Sequence, residues 1–145
     1  MSLVVKFTKL ESGVPTPQYA HVGDAGCDLS SREDLTLEPG HRALVPTGIA
    51  VAIPEGYAGF VQPRSGLAAR SGITIVNTPG LIDSHYRGEI KVVLLNTDLS
   101  EPFEIHRGDK ICQLVFQRVE RATLQEASEL DPTARGEGGF GSTGL

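Results

Sequence analysis

Cysteine is scarce in this 145-residue chain: Cys27 and Cys112 stand far apart, each among small or apolar neighbours. That excludes a disulfide framework and a metal knuckle, so reduced, structural thiols are expected. Cationic charge is also limited. Thirteen lysines and arginines face 18 acids, a formal charge of -5, which argues against a broad nucleic-acid footprint. An anionic ligand must be met locally, by single cations or by a bound divalent ion. Long apolar runs are missing too. MSLVVKFTKL is too short for the apolar core of a signal peptide and no segment approaches a membrane span, so a soluble, cytoplasmic protein is expected. The histidines, His21, His41, His85 and His106, form no HExxH pattern, and no GxSxG elbow offers a nucleophile. Zinc and covalent catalysis are therefore not expected.

What the chain does contain is glycine and proline, 17 and 9, against 6% aromatics. Many turns and little helix follow, in an all-β domain. Short runs rich in β-branched and large apolar residues, bounded by Gly or Pro, read as strands: LVVKFT from Leu3, RALVPTGIAVAI from Arg42, GFVQP from Gly59, ITIVN from Ile73, EIKVVLLN from Glu89, FEI from Phe103 and KICQLVFQRV from Lys110. Their spacing suits a sandwich or barrel. One short helix is expected at SGLAARSG from Ser65, ended by Gly72. From Arg135 to Gly144 five of ten residues are glycine, so residues 1–130 read as the β domain and 131–145 as a mobile arm.

Five motifs concentrate groups able to do chemistry. In AGCDL, Asp28 beside glycine reads first as a turn acid bonding its own backbone. PRSGLA sets Arg64, Ser65 and Gly66 at a helix start, where free amides can hold an anion or Ser65 can simply cap the helix. In GLIDSHYRGEIK, Asp83 follows two apolar residues; partial desolvation would make it a general base, while a hairpin turn explains the same residues. Tyr86, three residues on, could wall a sugar ring. GDKICQL puts Gln113 in an apolar strand, where it needs a partner, either a backbone group or a phosphate. RGEGGFGSTG has P-loop spacing from Gly136 to Gly141, but Ser142 stands where lysine is required, which rejects a P-loop NTPase. It is left as a plain tail or as an arm carrying Arg135 and Phe140 over a nucleotide.

In this order, from about Tyr19 to Gly144, the five motifs together resemble those of the homotrimeric dUTPase family. The resemblance implies a jelly-roll-like antiparallel β fold, a homotrimer with active sites at subunit interfaces, and hydrolysis of dUTP to dUMP and pyrophosphate by water attack on the α-phosphorus. Carried over by residue, it makes Asp83 the general base. Asn77 and the backbone of Leu81 and Ile82 would line the uracil pocket, and Tyr86 would lie under the deoxyribose, leaving no room for a 2′-hydroxyl. Lys91 joins the nucleotide-contacting set. Arg64, Ser65, Gly66 and Gln113 would hold the phosphates, and Asp28 would bind Mg²⁺ through coordinated water. Arg135 and Phe140, with Gly141 and Ser142, would close from another subunit's arm onto γ-phosphate and uracil. His85 departs from the Gly or Asp common at that place in the family and is left without a role.

Two other readings compete. A dCTP deaminase, or a bifunctional deaminase and dUTPase of the same fold, needs an acid directed at the cytosine amino group, and no glutamate is marked for that. A non-catalytic nucleotide-binding module is expected to have lost the base or the arm. Asp83 and Arg135 are both present.

Overall fold

The computed structural model describes residues 2–144. In chain order its elements are β1 (Lys6–Lys9), β2 (Gly26–Ser30), β3 (Leu35–Leu37), β4 (Arg42–Pro46), β5 (Ile49–Ala52), β6 (Tyr57–Gln62), α1 (Ser65–Ser71), β7 (Ile73–Ile75), β8 (Gly80–Ile82), β9 (Lys91–Asn96), β10 (Phe103–Ile105) and β11 (Lys110–Arg118). Every strand pair is antiparallel. The largest sheet runs β2-β11-β6-β8 and a second runs β4-β9-β7; β1-β5 and β10-β3 form two ribbons. The result is the all-β, jelly-roll-like arrangement expected, with one helix where SGLAARSG placed it.

Alternation decides which faces are buried. Along β9, Val92, Leu94 and Asn96 are buried while Lys91 is exposed, the period-two signature of a strand with one face on a core. Leu29, Val45, Ile49, Val61, Ile82, Leu94, Ile105 and Leu114 belong to one buried cluster fed by all four sheets. Truncating one of its leucines to alanine should cost roughly 2–5 kcal/mol. Asn96 is the polar exception. Fully buried, its amide donates to the Leu37 and Glu101 carbonyls, both at 2.9 Å, and its oxygen accepts from Asp98 N–H at 2.9 Å, so no desolvated group is left unpaired.

Three expectations need correction. The run from Arg42 is two strands, because the chain changes sheets at Gly48, whose φ of 72° lies in the left-handed region and whose absent Cβ would stand 2.6 Å from Val14 Cγ2. AGCDL is no turn: it forms most of β2, with Asp28 opposite Gln113 of β11. Gly80–Lys91 is no hairpin either, since β8 pairs with β6 and β9 pairs with β4 and β7. Residues 83–90 therefore cross from one sheet to another. The crossing is pinned at Ile90, whose N–H donates to Ile49 O at 2.8 Å and whose carbonyl accepts from Thr47 Oγ1 at 2.7 Å.

Beyond β11, the Val119 N–H donates to Gly56 O at 3.0 Å. From Glu120 onward, among the described residues, hydrogen bonds are local turns only, and the residues are exposed. No helix of the described residues is long and apolar enough to cross a membrane.

Candidate active site

The residues singled out from the sequence fall into three clusters. The first lines a cleft of about 350 Å³ between the two sheet crossings, residues 76–79 and 83–90. Val61, Ile75, Ile82, Ile90 and Val92 supply apolar wall, and Asn77, Asp83, Tyr86 and Lys91 bring polar groups to it. Leu81 and Gly80 line it as well, from β8, which is the last strand of its sheet. One side of β8 is bonded to β6, so its other side leaves main-chain donors and acceptors for a planar polar ligand.

Asp83 is exposed, contrary to the desolvation expected for it, and among the described residues no hydrogen bond holds its carboxylate. Its carbonyl accepts from Tyr86 N–H at 3.1 Å, which closes the turn after β8. Asp83 stands on the rim between the cleft and a broader hollow lined by Tyr57, His85, Glu120 and Arg121. His85 borders the hollow and not the cleft.

The second cluster centres on Asp28, buried at 8% exposure. Its Oδ1 lies 3.7 Å from Arg64 Nε and accepts from Gln113 Nε2 at 3.4 Å, while Oδ2 lies 3.3 Å from Lys110 Nζ. Arg64 also donates from Nη1 to the Lys110 carbonyl at 3.2 Å. Gln113 thus finds its partner in Asp28, an option outside the two raised for it. Two cations against one carboxylate leave the cluster net positive, beside the start of α1. Arg64 occupies the N-cap position, displacing Ser65 from the capping role, and no side chain caps the helix. Ser65 is exposed and Gly66 half-buried. Lys110 was overlooked because its partner lies 82 residues away in sequence, beyond any local spacing rule.

The third cluster is the tail. Arg135 Nε donates to Gly138 O at 2.8 Å, Ser142 N–H donates to Gly139 O at 2.6 Å, and the Phe140 ring is fully exposed. Arg135, Phe140, Gly141 and Ser142 line neither the cleft nor the Asp28 cluster.

Sequence reasoning also missed Glu89. Glu89 accepts from Arg32 through two bonds, Nε at 2.7 Å and Nη2 at 2.9 Å, and from Gly48 N–H at 2.8 Å. The carboxylate holds the Arg32 guanidinium above its ordinary pKa. The Glu89 carbonyl in turn accepts from the Tyr86 hydroxyl at 2.8 Å.

The dUTPase family model matches residues 12–144. The chain belongs to the dUTPase family. A deoxyuridine 5'-triphosphate nucleotidohydrolase of Thermobifida fusca is 61% identical over 140 residues, covering 97% of this chain and 78% of the relative. Its counterpart in Mycobacterium avium is 58% identical over 149 residues, covering 99% and 97%. Among solved structures, the dUTPase of Staphylococcus bacteriophage 80alpha with dUPNHPP superposes with a TM-score of 0.90 at 30% identity, covering 98% of this chain and 99% of that one. A point mutant of the dUTPase from phage phi11 of S. aureus, described as revealing the coordination of a structural Mg(II) ion, superposes at 0.82 with 27% identity over 89% and 99%.

Among the described residues no three His, Cys, Asp or Glu side chains converge as a metal cage. The one carboxylate of the second cluster, Asp28, is buried with its oxygens facing Arg64 and Lys110, so it could serve Mg²⁺ only through coordinated water and only where phosphate brings further negative charge beside it.

Proposed function

We propose that this protein hydrolyses dUTP to dUMP and pyrophosphate, keeping dUTP low and supplying dUMP for thymidylate synthesis, in a site assembled from three subunits of a homotrimer. The observation that carries the assembly is the separation of the three clusters. One chain holds Asp83 in a cleft, its phosphate-binding groups elsewhere, and Arg135 and Phe140 in contact with neither.

In this reading uracil enters the cleft, met by Asn77 and the free main chain of Leu81 and Ile82 on β8, with Tyr86 against the deoxyribose and Lys91 at the wall. Arg64, Ser65, Gly66 and Gln113 of a neighbouring subunit hold the phosphates. Asp28 orients Arg64 and would hold Mg²⁺ through a coordinated water, and the ion supplies charge neutralisation for the triphosphate. Asp83, exposed on the cleft rim, accepts a proton from water as it attacks the α-phosphorus. Arg135 meets the γ-phosphate and Phe140 stacks on uracil from a third subunit, with Gly141 and Ser142 completing the closed arm. Most of the catalytic effect is then positioning and electrostatics. The expected place of action is the cytoplasm.

Pyrophosphate release from dUTP, dTTP, dCTP and UTP, with and without Mg²⁺, tests the reading. Turnover of dUTP alone is expected, with Asp83→Asn binding the nucleotide but losing about 10²–10⁴ in kcat. Wild-type turnover by that variant overturns the role of Asp83. Ammonia release from dCTP would favour the deaminase.

A further inference from the structure

The Tyr86 ring lies directly over Gly88. A Cβ built on Gly88 would stand 2.5 Å from the Tyr86 Oη, 2.6 Å from Cζ and 2.9 Å from Cε1, and these are the three nearest atoms it would meet. The backbone itself makes no demand for glycine, since the φ of Gly88 is outside the left-handed region. The space is therefore left for the ring. The ring is also latched at its far end, where its hydroxyl donates to the Glu89 carbonyl at 2.8 Å. That carbonyl belongs to a residue with little freedom, because the Glu89 carboxylate is bound by Arg32 through a two-bond fork and by the Gly48 amide.

We propose that Gly88 is a positioning residue for the Tyr86 ring, and that the seat formed by Gly88 and the clamped Glu89 sets the steric boundary by which the cleft rejects a ribose 2′-hydroxyl. This rests on the reading that Tyr86 packs against the sugar. Tyr86 is 45% exposed, so no surrounding core holds the ring in place. A methyl on residue 88 would swing it toward solvent, leaving every functional group on the chain but moving the boundary.

The experiment compares wild type, Gly88→Ala, Tyr86→Ala and the double variant, each with dUTP and with UTP, alongside thermal melting. Tyr86→Ala is expected to lower the preference in kcat/KM for dUTP over UTP by at least about tenfold, the scale available to rejection by shape. Gly88→Ala is expected to lower it comparably, and the double variant to do no worse than Tyr86→Ala alone, because both changes act through one ring. Unchanged preference in Tyr86→Ala overturns the sugar-contact reading. Loss in Tyr86→Ala with full retention in Gly88→Ala overturns the positioning role and leaves the sugar contact standing. Should Gly88→Ala fail to fold, the double variant is expected to fold, since the ring is what the methyl meets; an unfolded double variant shows that glycine serves something other than Tyr86 and overturns the proposal.

Discussion

Gln113 and Asp28 face each other across the β2–β11 ladder, and the glutamine amide donates to the carboxylate at 3.4 Å. Two residues that the family resemblance implied as separate contacts, one for phosphate and one for a metal, are thus parts of one cluster that also fixes Arg64 and Lys110.

Removing the charge at its centre has two expected consequences. In Asp28→Asn the cations lose their anchor and any water-held Mg²⁺ loses its carboxylate. The KM for dUTP should rise about tenfold or more, corresponding to roughly one charge-assisted hydrogen bond. Stability should fall by only about 1 kcal/mol, because Arg64 and Lys110 remain partly solvated. Steady-state kinetics and thermal melting check both. A large stability loss with unchanged KM would make Asp28 a folding residue alone.

How far the site was legible in the sequence follows from the range of each interaction. Asp83 and Tyr86 come from one short motif, which already held them together, while Asn77 stands three residues before it and came only from the family resemblance; the cleft collects all three. The strands with strong apolar patterns were legible for the same local reason. β2 was not, because Gly26 and Asp28 are turn-formers in sequence and become strand only through pairing with β11, more than 80 residues on. The hairpin expected around Asp83 failed likewise, since nothing local states that β8 and β9 belong to different sheets. The Arg32–Glu89 fork and the Asp28–Lys110 pair were invisible because tertiary structure alone brings their members together.

The separation of clusters and the proposed homotrimer make a second prediction, about mixed assemblies. Asp83→Asn chains lack the proposed base, and Arg64→Ala chains lack a proposed phosphate contact; each alone should be nearly inactive. If the two groups of one site come from different subunits, refolding or exchanging an equal mixture should restore about a quarter of wild-type activity, the fraction of interfaces with both intact groups in random assembly. A mixture as inactive as its components would place both groups of a site in the same chain.

The tail supports a third. Its residues from Glu120 onward make local hydrogen bonds among the described residues and are exposed, so ending the chain before Arg135 should leave the melting temperature unchanged. Turnover should fall by about 10²-fold or more, because the proposed function gives Arg135 to the γ-phosphate and Phe140 to the base. The relevant measurements are thermal melting, sedimentation and single-turnover kinetics on the shortened chain. Full activity would relegate the arm to a plain tail; unfolding would show that it belongs to the domain.

The two thiols predict how stability depends on pH. Burial pushes the Cys112 thiol far above its ordinary pKa, and Cys27 upward as well, with its own sulfur donating to Leu114 O at 3.5 Å. In the unfolded chain both ionise near about pH 8.5. Above that pH the folded state binds more protons than the unfolded state, so stability is fully present below about pH 8.5 in the unfolded-state titration and falls as pH rises toward the folded-state values. Thermal melts from neutral pH into the alkaline range should therefore slope downward. Cys112→Ala should flatten that slope while costing stability at neutral pH, since it leaves a small cavity at a fully buried site. The Cys112 thiol should resist modification in the native protein and react only on unfolding. A slope unchanged by Cys112→Ala, with rapid labelling of the folded protein, would mean that this thiol is reached by solvent and that its burial does not set the alkaline limit of the fold.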